Sequence, residues 1–224
     1  MKFLNNKIII ALMVVAATGC KKLDIAPTDR FSDLTFWTVD VNVTNALNNN
    51  YSLLYNSSLY FEPEALSDNA YSPSGDLNLI ASGNANAFTG KFLSDWSNYY
   101  KTIKSVNIFL DNIDKNKTLP AATIARMKAE NQFMRAFALF NLSKWYGAVP
   151  LVTKDISPEE AQTIPRSSKA DVDAYVLAQL NEAIPNLPSK NDLPASENGR
   201  ITKGAAIALQ IRVLLYQGNK MAEV

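Results

Sequence analysis

Apolar residues recur along most of this chain at mixed spacings of three and four, the period of a helix face. The strongest such stretch runs from Pro120 towards Leu151, where AENQFMRAFALFNLSKWY stops at GAVPL. Ile124, Met127, Met134, Ala138 and Trp145 form one stripe, and Phe133, Phe137 and Phe140 widen it until more than one side needs cover. The pattern predicts an interior helix. Pro120 suits a first turn, Gly147 can take the left-handed conformation that closes a helix, and Pro150 prevents resumption.

Four further helices emerge from the same reading. Phe36, Val39, Val43, Ala46, Leu47, Tyr51, Leu54 and Tyr55 predict one near Asp33 to Asn56, weakened by the run Asn48 to Asn50. Leu93, Trp96, Tyr100, Ile103, Asn107, Leu110 and Ile113 predict another, joined to the central helix through DKNKTL as a helical hairpin. Ser168 with Asp171 starts a helix that ends near Pro185, and Thr202 caps KGAAIALQIRVLLYQ, which Gly218 closes. Gly204, Ala205 and Ala208 are small enough to let a neighbouring helix approach closely. The segments 57–89, 151–167 and 186–199 read as irregular connections. The architecture expected is all-α, tetratricopeptide-like helix pairs with long irregular loops, although no strict 34-residue repeat is visible.

The N-terminus departs from this pattern. Lys2 and Lys7 precede the apolar run Ile8 to Ala17, which is too short to span a bilayer and reads as an export signal over residues 1–19. Ala17-Thr18-Gly19-Cys20 resembles a bacterial lipobox, so Cys20 is the expected lipidation site, with acyl groups such as palmitate anchoring the chain. Ordinary secretion with a free thiol is the other reading. Cys20 is the single cysteine, which excludes a disulfide within the chain. Residues 20–31 read as a tether, and residues 32–224 as one helical domain.

Charge narrows the partners. A net charge of +1 over 224 residues supplies no basic excess for nucleic acid. Without histidine, and with the one cysteine expected to be acylated, the usual nucleophile–base pairs and histidine metal sites are missing. No cofactor or metal is expected. Carboxylates remain, and Glu62 with Glu64 in the long loop leaves a glycosidase as one alternative.

Two blocks, AENQFMRAFALFNLSKWYGAVPL and GRITKGAAIALQIRVLLYQG, resemble the signature blocks of the SusD/RagB family, and WSNYYKTIKSVNIFLDNI fits that family's aromatic-start helix. The resemblance implies an outer-membrane, surface-exposed lipoprotein built on tetratricopeptide-like helix pairs. Such a protein captures glycans for a SusC-like TonB-dependent transporter, in nutrient uptake, without catalysis. Family members are considerably longer, so residues 32–224 are expected to be an N-terminal portion, truncated at its C-terminal end. The last helix then lacks its partner, with its apolar face exposed.

Sugar binding needs an aromatic face for the pyranose and amides or carboxylates for its hydroxyls. SDNAYSPSGDLN offers both, with Tyr71 as the platform and Asp68, Asn69, Asp76 and Asn78 as polar partners. Trp96, Tyr99, Tyr100, Trp145 and Tyr146 lie on periodic helices and are assigned to packing. Glu130 and Arg135 are expected to make partly buried polar contacts with neighbouring helices, and Arg200 with a connecting loop. A protein-interaction scaffold is the remaining alternative, because helix-pair stacks bind peptides and proteins in their grooves.

Overall fold

The computed structural model describes residues 33–54, 62–73 and 75–218. The chain divides into two units, Met1–Thr35 and Phe36–Val224. Of the first, only residues 33–35 are described, within the helical turn α1 (Asp33–Phe36). The signal at 1–19, Cys20 and the tether at 20–31 lie outside the described residues.

The helices of the second unit are α2 (Asp40–Leu54), α3 (Gly75–Ala81), α4 (Gly90–Asn112), α5 (Ala121–Tyr146), α6 (Pro158–Ala161), α7 (Lys169–Ala183) and α8 (Lys203–Gln217). Two short strands, β1 (Val149–Pro150) and β2 (Arg166–Ser167), pair antiparallel with Val149 opposite Ser167 and Pro150 opposite Arg166. The protein is all-α, and α4–α5 and α7–α8 are consecutive helix pairs.

Helix α5 is the interior helix that its pattern predicts. Met134, Ala136, Ala138, Leu139 and Leu142 are buried, as are Met127, Phe133 and Phe140. It packs most extensively on α7 and α4, and also on α2. From α4 come Ile103, Val106 and Phe109, from α7 Val172, Val176 and Leu180, and from α2 Val43 and Leu47, all in one continuous core. Gly147 ends α5 with a φ of 71° but a ψ of −115°, so it uses the positive φ open to glycine without entering the left-handed helical basin. Gly218 closes α8 in that basin. Thr202 Oγ1 accepts from the Ala205 N–H, and Ser168 Oγ accepts from the Asp171 N–H, so both expected caps are present.

Three expectations change. The first helix, read from Asp33 to Asn56, is broken between Phe36 and Asp40. Trp37 turns into the core there, edge-on to Phe109 with ring centroids 5.8 Å apart, and Asn42 Nδ2 donates to the Phe36 carbonyl at 3.3 Å. A side chain thereby takes an acceptor that a continuous helix would use. The segment 57–89 is not wholly irregular, because Pro63–Leu66 is a 3-10 turn and Gly75–Ala81 is helix α3 with Leu77 buried. Finally, Glu130 and Arg135 are each buried and belong to separate networks rather than partly exposed contacts.

Those networks tie the helices together. Tyr51 donates to Glu130 Oε2 at 2.7 Å, Arg126 Nε donates to Oε1 at 2.9 Å, and Arg200 Nη1 reaches Oε2 at 3.2 Å. Arg200 Nη2 also donates to Asn48 Oδ1 at 3.0 Å. Arg135 donates to Asn107 Oδ1 at 2.8 Å, to the Thr153 carbonyl at 2.9 Å and to Gln179 Oε1. The asparagine run that weakens α2 also has its use: Asn50 donates to Asn131 Oδ1 at 2.6 Å and accepts from the Ser105 hydroxyl at 2.6 Å. Buried polar groups cost free energy unless paired, and here pairing fixes the register of α2, α4 and α5.

Candidate functional site

The loop residues with sugar-binding chemistry fall into three groups. Tyr71 is 82% exposed and its hydroxyl accepts from Asn78 Nδ2 at 3.3 Å, so these two stand together. Asp68 and Asn69 are exposed in the bend after the 3-10 turn, where the Asn69 N–H donates to Ser67 Oγ and Asn69 Nδ2 points to Glu64 Oε2 at 3.5 Å. Asp76 serves the next helix, because its Oδ2 accepts from the Lys91 N–H at 2.8 Å in the first turn of α4. Helix N-termini favour such a carboxylate, so Asp76 fastens α3 to α4.

The same junction holds a partly buried ion triad. Lys91 Nζ lies 2.6 Å from Glu62 Oε2 and 2.9 Å from Asp95 Oδ2. Hydrogen bonds and the charges of Glu62 and Asp95 raise the Lys91 pKa against the opposing effect of burial. Glu62 is therefore engaged in holding the loop to α4. Among the described residues, no group of three His, Cys, Asp or Glu side chains could hold a metal ion.

Two clefts open beside this junction and share Trp96. The first, of about 320 Å³, lies between α4 and the 150–164 segment, with Tyr100, Ile103, Val152, Ile156 and Pro158 among its walls and Lys104, Lys154 and Asp155 at polar positions. The second, of about 560 Å³, is lined by Ala87, Phe92, Leu93, Trp96, Trp145, Tyr146 and Arg166. The strand pair serves both, Pro150 in the first and Arg166 in the second. Arg135 and Asn107 hold the wall of the first by binding three successive carbonyls, since Asn107 Nδ2 donates to those of Val152 and Lys154 at 3.2 and 2.9 Å, and Arg135 to that of Thr153.

Trp96 is fixed from both sides. Its ring lies 4.9 Å from that of Tyr100 and 5.1 Å from that of Tyr146, centroid to centroid. The Tyr100 hydroxyl donates to the Pro150 carbonyl at 2.8 Å and the Tyr146 hydroxyl to that of Phe92 at 2.6 Å. Burial, with Asp95 nearby, pushes the Tyr146 pKa up to about 12, and burial also raises that of Tyr100.

Assigning the helical aromatics to packing holds for Tyr99, which is buried, and in the main for Trp96, Tyr100 and Tyr146. It is corrected for Trp145, whose side chain is 47% exposed and lines the second cleft, with Lys144 Nζ 4.9 Å from its ring centroid. Trp145 belongs to the stripe by sequence spacing but sits in the last turn of α5, where the covering helices no longer enclose it. Its place next to the Gly147 stop is the sequence signal that could have identified it. Leu93, also exposed, is a second apolar residue of the cleft, and Phe88 stands 96% exposed nearby in sequence.

The fold is an all-α array of helix pairs with exposed aromatic rings and open aromatic-lined clefts beside its loops. Residues 29–215 match the SusD-like family, described as starch-binding and associating with the outer membrane, and the chain belongs to that family. A SusD-like protein from Formosa agariphila is 25% identical over 98% of this chain and 44% of its own length, and one from Bacteroides ovatus is 25% identical over 97% and 40%. Among solved structures, a SusD-like carbohydrate-binding protein from Bacteroides fragilis is 31% identical with a TM-score of 0.76, covering 82% of this chain and 38% of that one. A laminarin-binding SusD-like protein is 26% identical with a TM-score of 0.71, covering 80% and 40%. The chain thus spans less than half the length of these relatives.

Proposed function

We propose that residues 32–224 are the N-terminal helical domain of a cell-surface glycan-binding lipoprotein. In this reading residues 1–19 direct export, Cys20 carries the lipid and residues 20–31 hold the fold off the outer membrane. The protein captures oligosaccharides for a SusC-like TonB-dependent transporter and performs no chemistry. The observation that carries the binding reading is the half-exposed indole of Trp145 in an open cleft of about 560 Å³ lined mainly by apolar and aromatic side chains. Aromatic rings suit the apolar face of a pyranose, and ligand clefts are typically about 300–1,000 Å³. The exposed Tyr71 ring, with Asn78 hydrogen-bonded to its hydroxyl, is a second platform in the loop. Carbohydrate binding by the Bacteroides fragilis and laminarin-binding neighbours supports the same function.

Calorimetric titration of the full chain against a panel of oligosaccharides tests this. Saturable binding that weakens on Trp145→Ala or Tyr71→Ala is expected, with no product released on long incubation. Turnover that disappears on Glu62→Gln or Glu64→Gln would instead establish a glycosidase. The exposed apolar side chains of α8, Ile207, Leu215 and Tyr216, favour a protein-interaction scaffold as the second reading. Transporter pull-down by a chain that binds no saccharide would decide for that alternative.

A further inference from the structure

The second cleft has an uneven charge. Its walls are apolar or aromatic apart from Arg166, and no carboxylate is among the residues lining it. Arg166 is exposed, and its guanidinium makes no ion pair among the described residues. Its backbone is held by pairing with Pro150 in the two-stranded ladder, so the root of the side chain is fixed while its head is uncommitted. A second cation stands against the same wall, since Lys144 Nζ lies 4.9 Å from the Trp145 ring centroid. Lys144 also makes no ion pair among the described residues, and Arg212 is close enough to repel its charge. Asp95, whose charge is felt by Lys144, is largely buried and already bound to Lys91 at 2.9 Å.

Resting on the glycan-binding reading, we infer that the second cleft selects anionic saccharides, with the indole of Trp145 under the sugar ring and Arg166 on its carboxylate or sulfate group. A planar guanidinium offers paired N–H donors that match a carboxylate and also bond sulfate oxygens, and a charge-assisted bond is about twice as strong as a neutral one. A neutral hydroxyl can accept from Arg166 but brings neither an opposite charge nor paired oxygens to match the fork. Uronic-acid residues and sulfate esters share this chemistry, and the two sources are separated by testing each.

The test titrates the full chain with three oligosaccharides of one length: a neutral gluco-oligosaccharide, its sulfate ester and a uronic-acid oligosaccharide. At low salt at least one anionic ligand is expected to bind about tenfold more tightly than the neutral one, with the advantage shrinking as salt rises. Arg166→Gln should remove that advantage, so that the anionic and neutral ligands bind alike, without moving the thermal midpoint. Arg166→Lys, which keeps the charge without the fork, should retain more of the sulfate preference than of the uronate preference. Equal affinity for all three ligands, or a preference that survives Arg166→Gln, overturns the inference while the glycan-binding reading stands. Binding of none of the three overturns both.

Discussion

The Tyr51 hydroxyl bridges two distant parts of the chain, donating to Glu130 Oε2 at 2.7 Å and accepting from the Ile201 N–H at 2.9 Å. It thereby joins α2, α5 and the segment leading into α8. Glu130 is 1% exposed, while its partners Arg126 and Arg200 retain some contact with solvent. Removing one member of a buried charge cluster leaves the others uncompensated, at about 3–5 kcal/mol for a fully buried pair. Solvent at the two guanidinium groups places Glu130→Ala near the lower end, about 3 kcal/mol. Tyr51→Phe removes one buried hydroxyl and should cost about 1–3 kcal/mol. Urea midpoints at unchanged slope measure both, and an unshifted midpoint for Glu130→Ala would contradict the assignment.

Arg135 presents a different case, because its hydrogen-bond acceptors are amide and backbone oxygens rather than carboxylates. Burial holds its pKa below the usual guanidinium value. Arg135→Met should cost about 2 kcal/mol through unsatisfied oxygens on Asn107, Thr153 and Gln179. Because Val152 and Lys154, on either side of Thr153, line the first cleft, faster amide exchange at residues 152–154 is the expected local signature.

Trp145→Ala should lower oligosaccharide affinity about tenfold, combining loss of ring contact with loss of apolar area. The side chain is half exposed, so the thermal midpoint should move by no more than about 2 °C. Tyr71→Ala, more exposed still, should be thermally silent. A large thermal shift in either variant would return that ring to the packing role.

Alkaline pH offers a test of the buried and partly buried tyrosines. Tyr51, Tyr99, Tyr100 and Tyr146 all have pKa values raised above the ordinary 10.0, with burial as the largest cause. The folded state therefore holds phenolic protons that the unfolded chain releases. Their stabilising contribution is complete below pH 10 and is lost as pH rises from there through about 12, where Tyr146 titrates. Circular dichroism melts should show a midpoint falling above pH 10, with a shallower fall in Tyr146→Phe.

Gly147 has a φ of 71° and nothing within 4 Å of where a Cβ would lie. Gly147→Ala should therefore cost about 1–3 kcal/mol from backbone strain alone, without a steric clash. Gly204→Ala, on the exposed side of α8 at ordinary helical φ, should be neutral or slightly stabilising in the same denaturation assay.

The fold was legible wherever an apolar stripe was long. α5, α4 and α8 declare themselves through periodicity, and the caps Ser168 and Thr202 stand where their side chains promise. Short elements were hidden. α3 has seven residues, too few for a period to emerge between Ser, Gly and Asn neighbours, and β1 and β2 have two residues each, so their pairing depends on tertiary position. Ser157 with Glu160 closes a capping box around α6, a signal present in SPEE but attached to a single turn. Among the site residues, spacing places Asn78 seven positions after Tyr71, and only the fold brings its amide to the phenol. Trp145 shows the opposite difficulty, because periodicity identifies the face of a helix but not where along its length the covering ends.

The packing of Trp96 between Tyr100 and Tyr146, tilted against one ring and edge-on to the other, has a thermodynamic consequence. Both phenols are tied to main-chain carbonyls, so the indole between the clefts is a stiff partition. An incoming ligand meets a wall already in place and need not spend binding energy ordering it. The two clefts should then fill as independent compartments, occupancy of one leaving the dissociation constant of the other unaltered.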